Sequence, residues 1–268
     1  MVNLNINRMN NLNEILQDAI EWAKGAGEIQ LKYFRTNDLG IETKTSVHDV
    51  VTKVDKECED YLINKISEKY PDHSVLGEES GAHQHTSDYL WVIDPLDGTN
   101  NYSQGLPVFC VSIGIKYKNE PVVGVVFTPY LNEMFTAVKG KGAFLNNKKI
   151  AVSQKNKLNE SVLATGFPYD KDVNPDNNVD NIASIIPTIR GLRRMGAAAY
   201  DLCCVAAGIL DGYWEFNLQP WDVCAGELIV TEAGGEIIPF RNDRNIAIVA
   251  ANGNLAHQIY MRLHNKNM

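Results

Sequence analysis

The stretch Tyr89-Leu90-Trp91-Val92-Ile93-Asp94-Pro95-Leu96-Asp97-Gly98-Thr99-Asn100 decides how the rest of the chain is read. Tyr89 to Ile93 is a short apolar run of the kind that forms a buried strand, and it delivers Asp94 at its C-terminal end. Pro95 and Gly98 then force a turn that holds two carboxylates three residues apart. Such a turn can aim both acids, with the carbonyl between them, at one point. It can also present the N–H groups of Gly98 and Thr99 to an anion. Oxygen-only donors suit Mg2+ rather than zinc. Asp-Pro and Asp-Gly are also ordinary turn dipeptides, so the stretch alone fits a metal site and plain strand-end geometry equally.

Upstream, Leu12, Ile15, Leu16, Ala19, Ile20 and Ala23 recur at helical spacing and predict a long opening helix. A second helix is expected from Lys56 to about Lys69, with Cys58, Leu62 and Ile66 inward and Pro71 just beyond its end. Downstream, Val108–Tyr117, Val122–Thr128, Glu133–Val138 and Ala143–Leu145 alternate as strands of an antiparallel meander, punctuated by turn residues. After about Ser153 strand-like and helix-like pieces interleave. Strands are expected at Ser161–Thr165, Gly212–Phe216, Gly235–Ile238 and Ile246–Ala250, and helices at Val179–Arg190, Ala197–Ala207, Asp222–Ala233 and Leu255–Leu263. The fold class is therefore α+β followed by α/β, with residues 1–152 as one lobe and 153–268 as a second, packed as one unit.

Bulk properties narrow the function. The 268 residues are 44% hydrophobic and 22% charged, the balance of an ordinary globular chain. A net charge of −8 speaks against nucleic acid as a partner, because phosphate backbones are held by clustered Lys and Arg. It does not exclude a small phosphorylated ligand, since bound cations invert a local field. Five scattered cysteines without Cys-x-x-Cys predict reduced, buried thiols. Met1 to Arg8 lacks a signal-peptide apolar run, and no stretch has the length of a membrane span. The expected location is the cytoplasm, with no membrane partner. There is no Gly-x-x-x-x-Gly-Lys-Ser/Thr loop, no Gly-x-Ser-x-Gly elbow and no His-Glu-x-x-His.

Other acid-bearing segments read blandly one at a time. Gly77-Glu78-Glu79-Ser80 is a solvated loop or a first helical turn, Asp222 of Trp221-Asp222 a helix N-cap, and Asp55 a cap before the second helix. His83-Gln84-His85 reads as an exposed loop. Taken together, in this order and spacing, the segments resemble the inositol monophosphatase family. The resemblance rests on Gly77–Ser80, Trp91–Asn100, Gly196-Ala197-Ala198-Ala199-Tyr200-Asp201-Leu202, Trp221-Asp222-Val223-Cys224-Ala225-Gly226 with Glu232-Ala233-Gly234-Gly235, and the segment Lys44–Asp55.

That resemblance implies a layered αβαβα sandwich, a homodimer, and Mg2+-dependent, lithium-sensitive hydrolysis of a phosphate monoester of a small polyol or nucleotide. It implies that Glu78, Asp94 and the Leu96 carbonyl hold one Mg2+, that Asp94, Asp97 and Asp222 hold a second, and that a weaker third sits near Glu78. It pairs Thr99 with Asp55 to orient the attacking water, gives the phosphate to the Gly98 and Thr99 N–H groups, and assigns substrate hydroxyls to Asp97, Ala198 and Glu215. Lys44 would steer the segment near the third ion. Two departures bear on substrate. Gln219 stands where animal relatives carry histidine, and Gly166-Phe167-Pro168-Tyr169 replaces a Ser-containing loop. Inositol monophosphate is the leading substrate. The 2′-phosphate of NADP(H), fructose 1,6-bisphosphate and 3′-phosphoadenosine 5′-phosphate share the chemistry, and a non-catalytic regulator on the same scaffold is the reading from another class.

Overall fold

A computed structural model describes residues 2–44 and 48–264 of the chain, with side chains from residue 11 onward. Residues 45–47 of the Lys44–Asp55 segment lie outside the described residues. Helix α1 (Val2–Tyr33) buries Leu12, Ile15, Ala19, Trp22, Ala23 and Ala26 along one stripe, as the helical spacing requires. After a small ribbon of β1 (Glu42–Thr43) and β2 (Val50–Val51), helix α2 spans Lys53–Lys69. It starts three residues before the expected Lys56, because Thr52 is the N-cap. Asp55 is therefore not a cap ahead of the helix. It sits in the first turn, where its carboxylate accepts the Thr52 N–H at 2.8 Å and closes a capping box.

Strands β3 (Ser74–Gly77), β4 (Gly81–His83) and β5 (Tyr89–Asp97) follow, then the short helix α3 (Thr99–Ser103). The meander is β6 (Cys110–Tyr117), β7 (Glu120–Thr128), β8 (Glu133–Val138), β9 (Gly142–Leu145) and β10 (Lys148–Lys149). These strands form one eight-stranded sheet in the order β10-β9-β8-β7-β6-β5-β3-β4, antiparallel except where β3 runs parallel to β5. The second half supplies β11 (Val162–Thr165), α4 (Val179–Ile185), β12 (Gly191–Arg193), α5 (Ala198–Ala206), β13 (Gly212–Leu218), α6 (Pro220–Glu232), β14 (Glu236–Pro239), β15 (Ile246–Ala251) and α7 (Gly253–His264). Its five-stranded sheet, β12-β11-β13-β15-β14, is mixed: β11 is parallel to both neighbours and the remaining pairs are antiparallel. Helix α4 stops before the expected Arg190, where Pro187 tightens the chain into a 3-10 turn.

The layers run α1 and α2, the large sheet, α5 and α6, the small sheet, then α4 and α7. Three apolar cores fill the spaces between them, with Trp91, Phe135 and Trp214 each fully buried in a different one. Helices on both faces explain why β6 and β7 bury long continuous runs, Cys110–Ile115 and Val122–Thr128, instead of alternating as the sequence pattern suggested. Helix α6 comes so close to the large sheet that a Cβ at Gly124 would lie 2.8 Å from the Ala225 carbonyl oxygen. Small residues on both partners permit that approach. Among the described residues no helix is long and apolar enough to cross a membrane.

Strand β5 does not end at Ile93 but continues through Asp97, and this extension positions the site. Asp94 faces Ser112 and Asp97 faces Cys110, so three steps on β5 oppose two on β6, a bulge of one residue. In a regular strand two residues three apart point to opposite faces. The extra residue lets Asp94 and Asp97 line the same cavity. Gln30 of α1 pins the bulge by donating to the Pro95 carbonyl at 2.8 Å, and Gly98 follows in the left-handed region with φ of 93°. A Cβ there would lie 2.8 Å from the Val108 carbonyl oxygen. Gly98→Ala should therefore lower stability by ~1–3 kcal/mol, read as a lower midpoint in urea at unchanged slope. An unchanged midpoint would show that the turn tolerates a side chain.

Candidate active site

The acids converge because β3, β5 and α6 meet at one place. Gly77 of β3 pairs with Ile93 of the parallel strand β5, so the next residues, Glu78 and Asp94, come side by side. The bulge adds Asp97, and the first turn of α6 adds Asp222. All four carboxylates line a single cavity of about 800 Å3. Asp222 is not the N-cap expected from the sequence. Gln219 is the cap, and the Asp222 carboxylate accepts its N–H at 2.7 Å from the third helical position.

Each acid is held by backbone or by a neighbouring charge. Asp94 accepts the Leu96 N–H at 3.0 Å. Asp97 accepts the N–H groups of Ala198 and Ala199 at 3.2 and 2.8 Å, which ties the bulge of the large sheet to the start of α5. Glu78 is bonded by the Lys44 ammonium at 2.8 Å, and Lys44 also pairs with Glu79. Glu59, a buried acid in α2, accepts the N–H groups of Glu79 at 2.9 Å and Ser80 at 2.6 Å, fixing the turn that presents Glu78. Behind the cavity wall, the Thr99 hydroxyl lies 2.8 Å from Asp55 Oδ1 and 3.0 Å from the Leu96 carbonyl oxygen. Asp55 itself does not line the cavity and reaches it only through Thr99.

Burial and mutual repulsion set the electrostatics. Desolvation, then Glu78, Asp97 and Asp222, hold Asp94 well above the usual carboxylate range. Burial likewise raises Asp97, and raises Asp222 strongly against the pull of the Gln219 N–H. Burial pushes Glu78 up to about 7 despite Lys44. Asp55 is raised by burial against its hydrogen bonds from Thr52 and Thr99. Burial also pushes Glu215 up to about 7, opposed by the Tyr213 hydroxyl and the Arg194 charge. Four carboxylates out of bulk water, facing one space with two basic side chains at its wall, Lys44 and Arg194, form an all-oxygen donor set whose charge a hard divalent cation would satisfy. The four acids and the Leu96 carbonyl therefore fit Mg2+. Among the described residues they do not already close into a cluster of metal-binding geometry, each being engaged by the hydrogen bonds above.

Most of the residues expected from sequence meet here. Lys44, Glu78, Asp94, Leu96, Asp97, Gly98, Thr99, Ala198, Glu215 and Asp222 all border the cavity. Phe167, Tyr169 and Gln219 also border it. Sequence reasoning missed Glu59, and Asp49 and Arg194, which line the cavity. Only the polar segment around Asp49 and the Arg193-Arg194 pair hinted at two of them. The decoy His83 closes β4, its ring nitrogen 2.8 Å from the Ser80 hydroxyl, and does not sit in an open loop.

Known proteins resemble this chain in sequence and in fold. The inositol monophosphatase family profile matches residues 11–267. A protein named Nus factor SuhB from Pasteurella multocida is 46% identical over 231 residues, covering 85% of this chain and 86% of that protein. Among solved structures, the extragenic suppressor protein suhB of Bartonella henselae superposes with a TM-score of 0.86 at 33% identity, covering 93% of this chain and 98% of that one. Inositol monophosphatase from Anabaena (Nostoc) sp. PCC 7120 gives 0.85 at 37% identity, covering 95% and 97%.

The raised acids have a measurable consequence. The folded chain holds the Glu78 and Glu215 protons more tightly than the unfolded chain, so both groups oppose folding increasingly as pH climbs from their ordinary 4.5 to about 7. Metal-free protein should melt at progressively lower temperature across that window. Added Mg2+ should recover more at about pH 8 than at about pH 5, because only the ionised acids bind it. Equal recovery at both values would contradict the assignment.

Proposed function

Because the chain belongs to the inositol monophosphatase family, we propose that it is a Mg2+-dependent phosphatase that hydrolyses a phosphate monoester of a small polyol or nucleotide, inositol monophosphate first among them. The observation that carries this is the meeting of Glu78, Asp94, Asp97 and Asp222 in one cavity whose wall contains Thr99, backed by Asp55. Glu78, Asp94 and the Leu96 carbonyl would hold one Mg2+, Asp94, Asp97 and Asp222 a second, and a third would lie near Glu78. Bound magnesium supplies charge neutralisation for the phosphate and acidifies a water molecule.

The residues of the chain do the rest. Thr99 Oγ1, 2.8 Å from Asp55 Oδ1, is placed to orient a water. The water oxygen would attack phosphorus while its proton moves toward the Thr99–Asp55 pair; the ester P–O bond on the opposite side breaks, and the departing alkoxide takes a proton from solvent and leaves as the alcohol. The N–H groups of Gly98 and Thr99 would bind the phosphate. Glu215, the rim around Ala198 and the free lone pairs of Asp97 would orient the leaving-group hydroxyls. Phosphate monoesters hydrolyse so slowly unaided that positioning and charge neutralisation must supply nearly all of the rate.

Gln219 and the Phe167–Tyr169 side of the cavity belong to the substrate half, and they are why NADP(H) 2′-phosphate, fructose 1,6-bisphosphate and 3′-phosphoadenosine 5′-phosphate remain in view. Relatives named Nus factor SuhB favour a second reading, a non-catalytic role on the same scaffold. A homodimer stays part of the proposal on family grounds.

Phosphate release from inositol 1-phosphate and these three alternatives, with and without Mg2+, separates the readings. Mg2+-dependent release is expected, fastest from inositol 1-phosphate; none from any of the four would leave the non-catalytic role. Asp97→Asn should cut turnover by about 100-fold or more with the circular dichroism spectrum unchanged. Near-normal turnover would remove Asp97 from the metal site. Gln219→His should alter the ranking of substrates more than the rate on the best one, and a uniform loss would exclude it from selectivity.

A further inference from the structure

One wall of the cavity is a long irregular loop, residues 166–178, and the molecule grips it twice. Its base is closed by Asn178, a buried residue with φ of 76°. The Asn178 amide nitrogen donates to the Thr165 hydroxyl at 2.9 Å and to the Gly166 carbonyl at 2.7 Å. Its oxygen accepts from the Trp214 indole and from Asn181, each at 3.0 Å. All four of its hydrogen-bonding positions are used, so the two ends of the loop are locked together.

The tip is held separately, by the connection between β14 and β15. Arg244 Nη2 meets both carboxylate oxygens of Asp170 at 2.7 Å, and its Nη1 donates to the Asp176 carbonyl at 2.6 Å. Arg241 forks the Asp176 carboxylate at 3.0 and 2.6 Å. Both guanidinium groups lie over the ring of Phe216, 4.7 and 5.5 Å from its centroid, and Phe216 is itself a buried part of the cavity wall. Asp170 in turn organises the tip: its carbonyl accepts the N–H groups of Val173 and Asn174, and its carboxylate accepts the Asn174 amide at 3.0 Å. The residue just before Asp170 is Tyr169, which lines the same cavity as Glu78 and Asp222. The segment Arg241–Arg244 belongs to none of the motifs read above, and no catalytic step uses it.

We propose that Arg244, joining the Asp170 carboxylate through Nη2 and the Asp176 carbonyl through Nη1, is a positioning residue that fixes the Phe167–Tyr169 wall against the leaving group and so sets selectivity among phosphate monoesters. This rests on the phosphatase reading for its substrates. Asp170 and Asp176 are each about two-fifths exposed and their arginine partners about a fifth, so solvent screens the pairs in part. Burial would raise the Asp170 carboxyl, but the hydrogen bonds from Arg244 and Asn174 outweigh it and hold it below the ordinary value. The pairs therefore persist at neutral pH. One guanidinium joining two points of the loop is directional, and a displacement of about 1 Å in a contacting group is enough to change a rate greatly.

The test compares wild type with Arg244→Gln and Arg244→Lys on inositol 1-phosphate, a ring substrate that reaches the wall, and glycerol 2-phosphate, an acyclic one that is too short to. Arg244→Gln should lose about tenfold in kcat/KM on inositol 1-phosphate, mostly through KM, and stay within about twofold on glycerol 2-phosphate. Its melting temperature should move by no more than about 2 °C. Arg244→Lys, which keeps the charge but has one nitrogen where arginine uses two to join Asp170 and the Asp176 carbonyl, should fall between. Equal losses on both substrates, or a loss that tracks a drop in melting temperature, would overturn the proposal. Calorimetric binding of inositol 1-phosphate, with calcium in place of magnesium, reads the same difference without turnover. Weaker binding by Arg244→Gln supports the positioning role even if wild type hydrolyses neither compound, and identical binding refutes it.

Discussion

Four carboxylates share one water-poor cavity, and the surrounding architecture is arranged to make that tolerable. Left to themselves, Glu78, Asp94, Asp97 and Asp222 repel one another and resist ionisation, which is why each is displaced upward. Backbone N–H groups and Lys44 relieve part of the cost. The remainder is the affinity of the site for hard cations. A group that is awkward for the folded chain alone becomes favourable once the metal binds, the usual trade of stability for function at an active site.

The geometry comes from the scaffold rather than from the acids. The parallel pair β3 and β5 presents two acids together, the bulge turns a third to the same side, and α6 brings the fourth. Because Asp97 also binds the first N–H groups of α5, the large sheet is tied to that helix through the site itself. Gln30 on α1, which grips the Pro95 carbonyl and receives the Tyr102 hydroxyl on its own carbonyl at 2.6 Å, extends this rigidity to the opening helix. The clustered acids therefore sit at the ends of elements packed in the core, whereas the Phe167–Tyr169 wall of the cavity sits on a loop held by arginines.

Much of this was legible in the sequence, for physical reasons that differ by residue. Helical spacing marked α1 and α2, and the apolar run before Asp94 marked β5, because burial imposes periodicity or length. The ligands Glu78, Asp94, Asp97 and Asp222 were reached by resemblance, since none stands out as a ligand alone. What sequence did not disclose was register and cap position. The bulge at Pro95–Leu96 depends on pairing with β6, residues away in sequence. Asp55 and Asp222 were read as caps, while Thr52 and Gln219 are the caps and both acids sit three positions inside their helices. Capping boxes place an acid at that position, so the local pattern was correct and its frame was off by a turn. Glu59, Arg241 and Arg244 act through tertiary contacts that leave no local signature.

The most direct measurement of the central claim is the position of bound metal. Crystals grown with Mn2+ in place of Mg2+ would reveal each ion by anomalous scattering. Two peaks roughly 3.5–4 Å apart, one against Glu78, Asp94 and the Leu96 carbonyl and the other against Asp94, Asp97 and Asp222, are the expected result. A cavity with no anomalous peak at saturating Mn2+, or peaks bound elsewhere, would contradict it.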